Sequence, residues 1–369
     1  MNWVGYMSKG GLIMRKFLLL LPLLLAGCNS DGEDPGIQQQ FVQDQAQTVN
    51  PALPPDNPLL AEGNVGEWTA RLTGLPFVLN DVVWDGESFI AVGDKGAILT
   101  SADGGVWAER ASGTDADLNA IAVDGSDIVA VGDNATVLVS TDHGVSWIIK
   151  YSGDDVRLSA VVINPWQIIA GGSGPFLMRS VDLGESWAII ESLPQTGHYV
   201  TDLAYANGLY IATTDISASK FDTLLLVSID GESWQQVIPQ EDSVAFFTVL
   251  HDETQFIAAG DWGRVISSPD GYIWTTLQTP FEELSYLSAV WTGSELMVAG
   301  GITWWYWWVG TPPFERATGL SSTNGGATWE TVDIGGYYQS LGMAWGNGRF
   351  VSVGQSLPNW GEGAIYTSP

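Results

Sequence analysis

The 369-residue chain is long enough for one large domain or two ordinary ones, and with 45% hydrophobic against 15% charged residues it can bury a sizeable core. Its 13 Lys+Arg face 42 Asp+Glu, a net charge of −29 that excludes the basic footprint needed to hold a nucleic-acid backbone. A single Cys excludes an intramolecular disulfide and a thiolate zinc cluster, and His143, His198 and His251 share no metal-ligand spacing, so neither metal nor cofactor is expected.

Residues 14–28 read MRKFLLLLPLLLAGC. Arg15 and Lys16 form a basic start, an apolar run interrupted by Pro22 follows, and small residues lead to Cys28. The run is too short for a bilayer, which takes roughly 20 apolar residues. The Leu-Ala-Gly-Cys order resembles the bacterial lipoprotein signal, which implies that Cys28 is lipidated and becomes the new N-terminus. Residues 1–13 match no part of that pattern, so Met14 is the expected start. Asn29 after the Cys points to the outer membrane of the cell envelope. From residue 29 to about 62 the composition turns to Gln, Asp and Pro, which reads as a flexible tether with a span of roughly 30 Å. The expected organisation is a signal over 1–27, a lipidated Cys and tether over 28–62, and a folded body over 63–369.

That body is built from one repeat. Ser101-Ala-Asp103-Gly-Gly-Val-Trp107 returns with Asp142 and Trp147, with Asp182 and Trp187, with Asp230 and Trp234, with Asp270 and Trp274, and with Asn324 and Trp329. A pair of apolar runs precedes each copy, so each unit of about 40 residues reads as four short strands. Near-continuous apolar runs such as FIAVG fit sheets covered on both faces. Four-stranded units of this period predict an all-β, seven-bladed β-propeller. The count comes from the ends. The last residues, AIYTSP, match the start of the repeat turn without its Asp, Gly and Trp, while Trp68 begins a lone fourth strand. The N-terminal strand near Trp68 is therefore expected to complete the C-terminal blade and close the ring.

The repeated Ser-x-Asp-x-Gly-x-Ser/Thr-Trp resembles the Asp-box, or BNR, motif of sialidase-like propellers. Residues 64–369 as a whole resemble the photosystem II assembly factor-like branch of that superfamily. The resemblance implies a structural motif: the Asp accepts backbone N–H groups in the tight turn between strands three and four, and the Trp packs between sheets. Members of that branch are associated with a basic binding surface. This chain is strongly acidic, so no photosystem role carries over.

Repeat spacings of 39, 40, 48, 40, 54 and 46 residues place extra chain in blades four, six and seven, between strands two and three. These insertions gather on one face, the usual sign of a binding surface. In blade six the insertion holds Trp304, Trp305, Tyr306, Trp307, Trp308 and Arg316. Alternate residues of a hairpin face opposite ways, so five consecutive rings cannot all point inward. They suit a protein hot spot, sugar stacking, a membrane interface or a local cover, and Trp262 and Trp360 would extend the patch. Acidic pairs at Asp115/Asp117, Asp154/Asp155, Glu241/Asp242 and Glu282/Glu283 in the blade-to-blade loops would suit cationic partners or loosely held Ca²⁺. Acidic residues occur throughout the chain and no calcium-loop spacing is present, so the pairs read as a solvated acidic rim.

A sialidase would need an arginine cluster and paired carboxylates. Only Arg157, Arg264 and Arg316 fall near the expected funnel, and the Arg-Ile-Pro element that precedes the repeats in sialidases is absent. The expected function is thus non-catalytic: a lipid-anchored envelope propeller that binds a protein partner and helps assemble or stabilise an envelope complex. The alternative is a carbohydrate-binding protein or sialidase-like glycoside hydrolase.

Overall fold

The computed structural model describes residues 68–153, 155–174, 176–190, 199–215, 224–239, 244–281, 284–302, 317–335, 338–356 and 361–369. Cys28, residues 304–308, Arg316 and Trp360 lie outside the described residues, as do Asp154, Glu241, Asp242, Glu282 and Glu283.

The described residues form 28 strands, numbered β1–β28 in chain order, in seven four-stranded antiparallel sheets. Six sheets take four consecutive strands; the first is β2 (Leu79–Trp84), β3 (Phe89–Gly93), β4 (Ile98–Ser101) and β5 (Ala108–Arg110). The seventh is discontinuous, with β26 (Tyr338–Gly346), β27 (Arg349–Ser356) and β28 (Gly363–Thr367) completed by β1 (Thr69–Leu75). This is the ring closure expected from Trp68. It runs from Thr69 opposite Thr367 to Leu75 opposite Gly363, and the Arg71 Nε donates to Thr367 Oγ1 at 2.8 Å. The chain is a seven-bladed β-propeller.

The second and third strands of each blade are the most buried. Every residue of β3 and β4 is buried, and so is every residue of their counterparts in blades four and five. The core accordingly divides into apolar layers between neighbouring blades. Leu79, Phe89, Val351 and Ile365 share the layer between blades seven and one, and Val129, Val137, Leu158 and Ile168 the layer between blades two and three.

Each second strand ends against the start of its own blade's first strand. The Asp94 N–H donates to the Val78 carbonyl at 3.0 Å, and Asp133, Ser173, Asp215 and Asp261 repeat the bond onto Asp117, Arg157, Tyr199 and Ala245. A Cβ on Gly93 would lie 2.0 Å from the Val78 carbonyl oxygen, and Gly132, Gly172, Gly260, Gly300 and Gly354 meet the same obstacle; only blade four has another residue there, Thr214. The glycines are required by this close approach, not by an unusual φ.

The turns after the third strands lie on the opposite face. Asp103 Oδ1 accepts the Gly105 and Val106 N–H groups at 2.8 and 3.0 Å, and Trp107 Nε1 donates to the Gly104 carbonyl. Trp147, Trp187, Trp234 and Trp274 make the same indole bond. Asp142 and Asp182 reach one residue further, to the N–H and hydroxyl of Ser146 and Ser186. The longer turn puts two successive residues in the left-handed region, His143 with Gly144 and Leu183 with Gly184. These donors hold the Asp142 carboxyl down at about 2. In the sixth copy Asn324 accepts from Thr328, and the buried Trp329 Nε1 has no partner among the described residues.

Gly93→Ala should force a carbonyl aside and lower stability by roughly 1–3 kcal/mol. The midpoint of urea unfolding measures it, and an unchanged midpoint would show that the close approach is not rigid.

Candidate functional site

The first strands of the blades line the axis: β2, β6 (Leu118–Asp124), β10 (Leu158–Asn164), β14 (Val200–Ala206), β18 (Phe246–His251), β22 (Leu284–Trp291) and β26. All seven carry a register shift at the same place, directly after the residue that pairs with Gly93, Gly132, Gly172, Thr214, Gly260, Gly300 or Gly354. A bulge turns one extra side chain out of the ladder. The residues so displaced are Asn80, Asn119, Ser159, Thr201, Phe247, Leu287 and Leu341, all half-buried. With their neighbours they line a cavity of about 230 Å³ that takes residues from every blade.

Four of the seven are polar, and each reaches the next blade. Asn80 Nδ2 donates to the Leu118 carbonyl and Asn119 Nδ2 to that of Leu158, both at 2.9 Å. Ser159 and Thr201 donate to Val200 and Phe246 at 2.6 Å. Next to the bulge, Asp81 and Asp202 do the reverse. Asp81 accepts the N–H of Val82 at 2.8 Å and, across the blade boundary, that of Ile121 at 3.0 Å. Asp202 accepts Leu203 at 2.7 Å and Val249 at 2.8 Å. Loss of bulk water outweighs these donors and pushes Asp81 up to about 7 and Asp202 to about 6, with the Asp202 charge adding to the rise at Asp81.

The rim above is made by the turns between second and third strands. Asp94 and Asp133 accept Asn80 Nδ2 and Asn119 Nδ2 at 3.0 and 2.9 Å, and Asp261 accepts the Ser285 hydroxyl of the next blade. Burial raises the Asp261 carboxyl. The middle residue of the Asp94-Lys95-Gly96 turn has φ +57°, and Trp262 in Asp261-Trp262-Gly263 has φ +56°. Trp262 is 41% exposed. It is the one sequence-selected aromatic of this face that falls among the described residues.

The insertions fall where the spacing put them. Residues 216–223, 303–316 and 357–360 separate second from third strands in blades four, six and seven. The acidic rim is less uniform than its sequence. Asp117 is occupied by the Lys95 N–H at 2.7 Å, whereas Asp115 and Asp155 share an open hollow of about 610 Å³ with Thr114, Asn134 and Gly153. Arg157 is held by Asn119 Oδ1 at 2.9 Å and lies 3.8 Å from Asp133, while Arg264 belongs to blade five. No described residue bonds to both arginines. Among the described residues there is also no group of three or more His, Cys, Asp or Glu that could hold a metal.

The bulge residues are the part of this face that sequence reading missed. A signal existed in the aligned repeats: Leu-Asn-Asp, Leu-Asn-Ala, Leu-Ser-Ala and Val-Thr-Asp place a polar residue directly after a buried one, at the same point of each first strand.

No protein-family model matches the chain, and no curated protein matches it. Solved structures do match. YCF48 bound to D1 peptide has a TM-score of 0.60 at 18% identity, covering 82% of this chain and 96% of that one. YCF48 from Cyanidioschyzon merolae gives 0.60 at 15%, covering 82% and 99%. The GH74 xyloglucanase from Xanthomonas campestris gives 0.55 at 15%, covering 72% of this chain and 46% of the enzyme. At these identities the likeness establishes the propeller fold that all of them share.

The raised carboxyls make stability pH-dependent. Both groups titrate above the unfolded value of 3.8, so the native state keeps protons that the unfolded state has released. Their contribution is therefore fully present below about pH 4 and is lost as pH rises towards 7. Asp81→Asn should flatten that decline by on the order of 1 kcal/mol. Urea midpoints from pH 4 to 7 that run parallel for both proteins would contradict it.

Proposed function

We propose that the chain is a non-catalytic, lipid-anchored propeller of the bacterial cell envelope, which binds a protein partner and helps assemble or stabilise an envelope complex. Binding uses the face that carries the insertions of blades four, six and seven. Trp262 is the observation that supports this most directly. The Asp-x-Gly turn imposes a left-handed middle residue, as Lys95 at the same place of blade one makes plain. A residue with a Cβ is held in that region at a cost of about 1–2 kcal/mol, which Gly or Asn largely escapes. A tryptophan 41% exposed recovers only part of that through its own burial. Its advantage therefore lies in what it meets outside the chain, and Trp is among the residue types that dominate protein hot spots. YCF48 bound to D1 peptide is an example of a propeller of this architecture with a peptide partner, which supports the class of partner proposed.

Affinity capture from a detergent extract of envelopes should recover one stoichiometric protein with the wild-type chain and at least tenfold less with Trp262→Asn. Relief of the left-handed strain offsets the apolar contact that this variant loses, so its melting temperature should stay within a few degrees of wild type. Failure to recover a stoichiometric protein would overturn the partner assignment. Binding to a glycan array that Trp262→Asn abolishes would replace the partner with a carbohydrate.

The anchor has its own test. Metabolic labelling with a fatty-acid analogue should mark the wild-type chain and not Cys28→Ser, and equal labelling of the two would remove Cys28 as the lipid site.

A further inference from the structure

The central cavity is divided by chemistry. From blade one to blade four its wall at the bulge is Asn80, Asn119, Ser159 and Thr201; from blade five to blade seven it is Phe247, Leu287 and Leu341. The ring does not require this. A bulge residue that hydrogen-bonds the next blade is evidently compatible with the fold, since four blades have one. Three consecutive blades instead present a large apolar side chain, half-buried, to the cavity. Apolar surface left facing water forgoes about 25 cal/mol per Å² that a covering group would restore.

The two carboxylates lie at the seams of this division. Asp202 stands on blade four, next to the blade of Phe247, and Asp81 on blade one, next to the blade of Leu341. Each of the four carboxylate oxygens accepts one backbone N–H and Asp202 also accepts the Thr248 hydroxyl, which leaves both Asp81 oxygens and one of Asp202 with a further lone pair for a donor. The rim adds Asp94, Asp133 and Asp261. The rim also carries cations: Lys95, whose Nζ is bonded to the Pro76 carbonyl, Arg157, paired with Asp133, and Arg264 after the Asp261 turn. The ionisable groups that line the cavity itself are Asp81 and Asp202, which favours a cation there.

Size narrows the occupant. At about 230 Å³ the cavity falls below the roughly 300–1,000 Å³ of small-molecule sites, so it suits one or two side chains and not a sugar oligomer. A side chain with an aliphatic stem and a charged head matches both halves of the wall.

Resting on the partner-binding reading above, we propose that this cavity is an anchor pocket for one Lys or Arg side chain on an extended segment of the protein partner. The stem lies against Phe247, Leu287 and Leu341, and the charged head lies between Asp81 and Asp202.

The test uses the full chain and three fluorescein-labelled peptides, Gly-Gly-Leu-Lys-Leu-Gly-Gly and its norleucine and glutamate counterparts, followed by fluorescence anisotropy. The lysine peptide should bind saturably, and the other two at least tenfold more weakly. Asp202→Asn and Leu287→Asn should each weaken the lysine peptide at least fivefold. Leu287 makes no hydrogen bond to another blade, so it reads the pocket even if a change at Asp202 disturbs folding. Equal affinity for the three peptides, no lysine-peptide binding at about 1 mM, or wild-type affinity in both variants would overturn the pocket. Any of these outcomes alongside successful envelope capture would leave the partner reading standing without this pocket. Binding of the lysine peptide with failed capture would do the opposite.

Discussion

Seven sheets that converge on one axis bring the free edges of their first strands together, and a free edge is a row of unpaired N–H and C=O groups. The bulge repeated in every first strand answers that constraint. It turns a side chain sideways, where Asn80, Asn119, Ser159 and Thr201 can satisfy carbonyls of the next blade. Asp81 and Asp202 satisfy N–H groups across the same boundaries. Between blades six and seven the Ser288 and Ser340 hydroxyls meet at 3.4 Å, and Ser340 goes on to Ser352 at 2.8 Å. Much of the polar character of the axis is thus committed to the ring. The apolar arc of blades five to seven is the part that does no such service.

The two faces of the ring are used differently. On the repeat-turn face, each turn fastens onto the blade before it. Gln167 Nε2 donates to the Asp230 carbonyl, Gln255 Nε2 to that of Gly325 and Asn347 Nδ2 to that of Ala102. His143 Nδ1 meets Asp85 at 3.0 Å, and that carboxylate raises the imidazole above its ordinary value. Extra residues here would disturb a blade-to-blade contact at every step. On the other face the turns close onto their own blade, through the bond from the second strand to the start of the first, and those at Lys95 and Asp261 also reach the next blade. The insertions of blades four, six and seven all fall between second and third strands, away from the repeat turns.

The repeat made the architecture legible because its period survives changes in almost every residue. Ser, Asp or Asn, Gly and Trp return at spacings near 40, and the unmatched strand at Trp68 with the truncated copy at the C-terminus announces the shared blade. The axis was less legible. Leu-Asn-Asp in blade one and Phe-Phe-Thr in blade five have no residue type in common, because what they share is a backbone irregularity, and a bulge has no fixed composition. Trp262 could be picked out as an exposed-face aromatic from its position. Its left-handed φ could not, since that region is the habit of Gly and Asn. The acidic pair at Asp115 and Asp117 looked uniform in sequence, yet only geometry separates a turn-capping carboxylate from one facing an open hollow.

Closure by the first and last strands also fixes an order of events. Arg71 and Thr367 are bonded across 296 residues, and no shorter contact substitutes for that pairing. Contacts of such separation are the last to form, because loop closure must precede them. As the chain emerges during synthesis, the strand over Thr69–Leu75 has no hydrogen-bonding partner until residues 363–367 exist. Six sheets can assemble from neighbouring segments while the ring still gapes, with one strand and one blade edge exposed to any other chain nearby. The feature that completes the seventh sheet of the finished molecule is the one that makes its nascent form most open to mispairing.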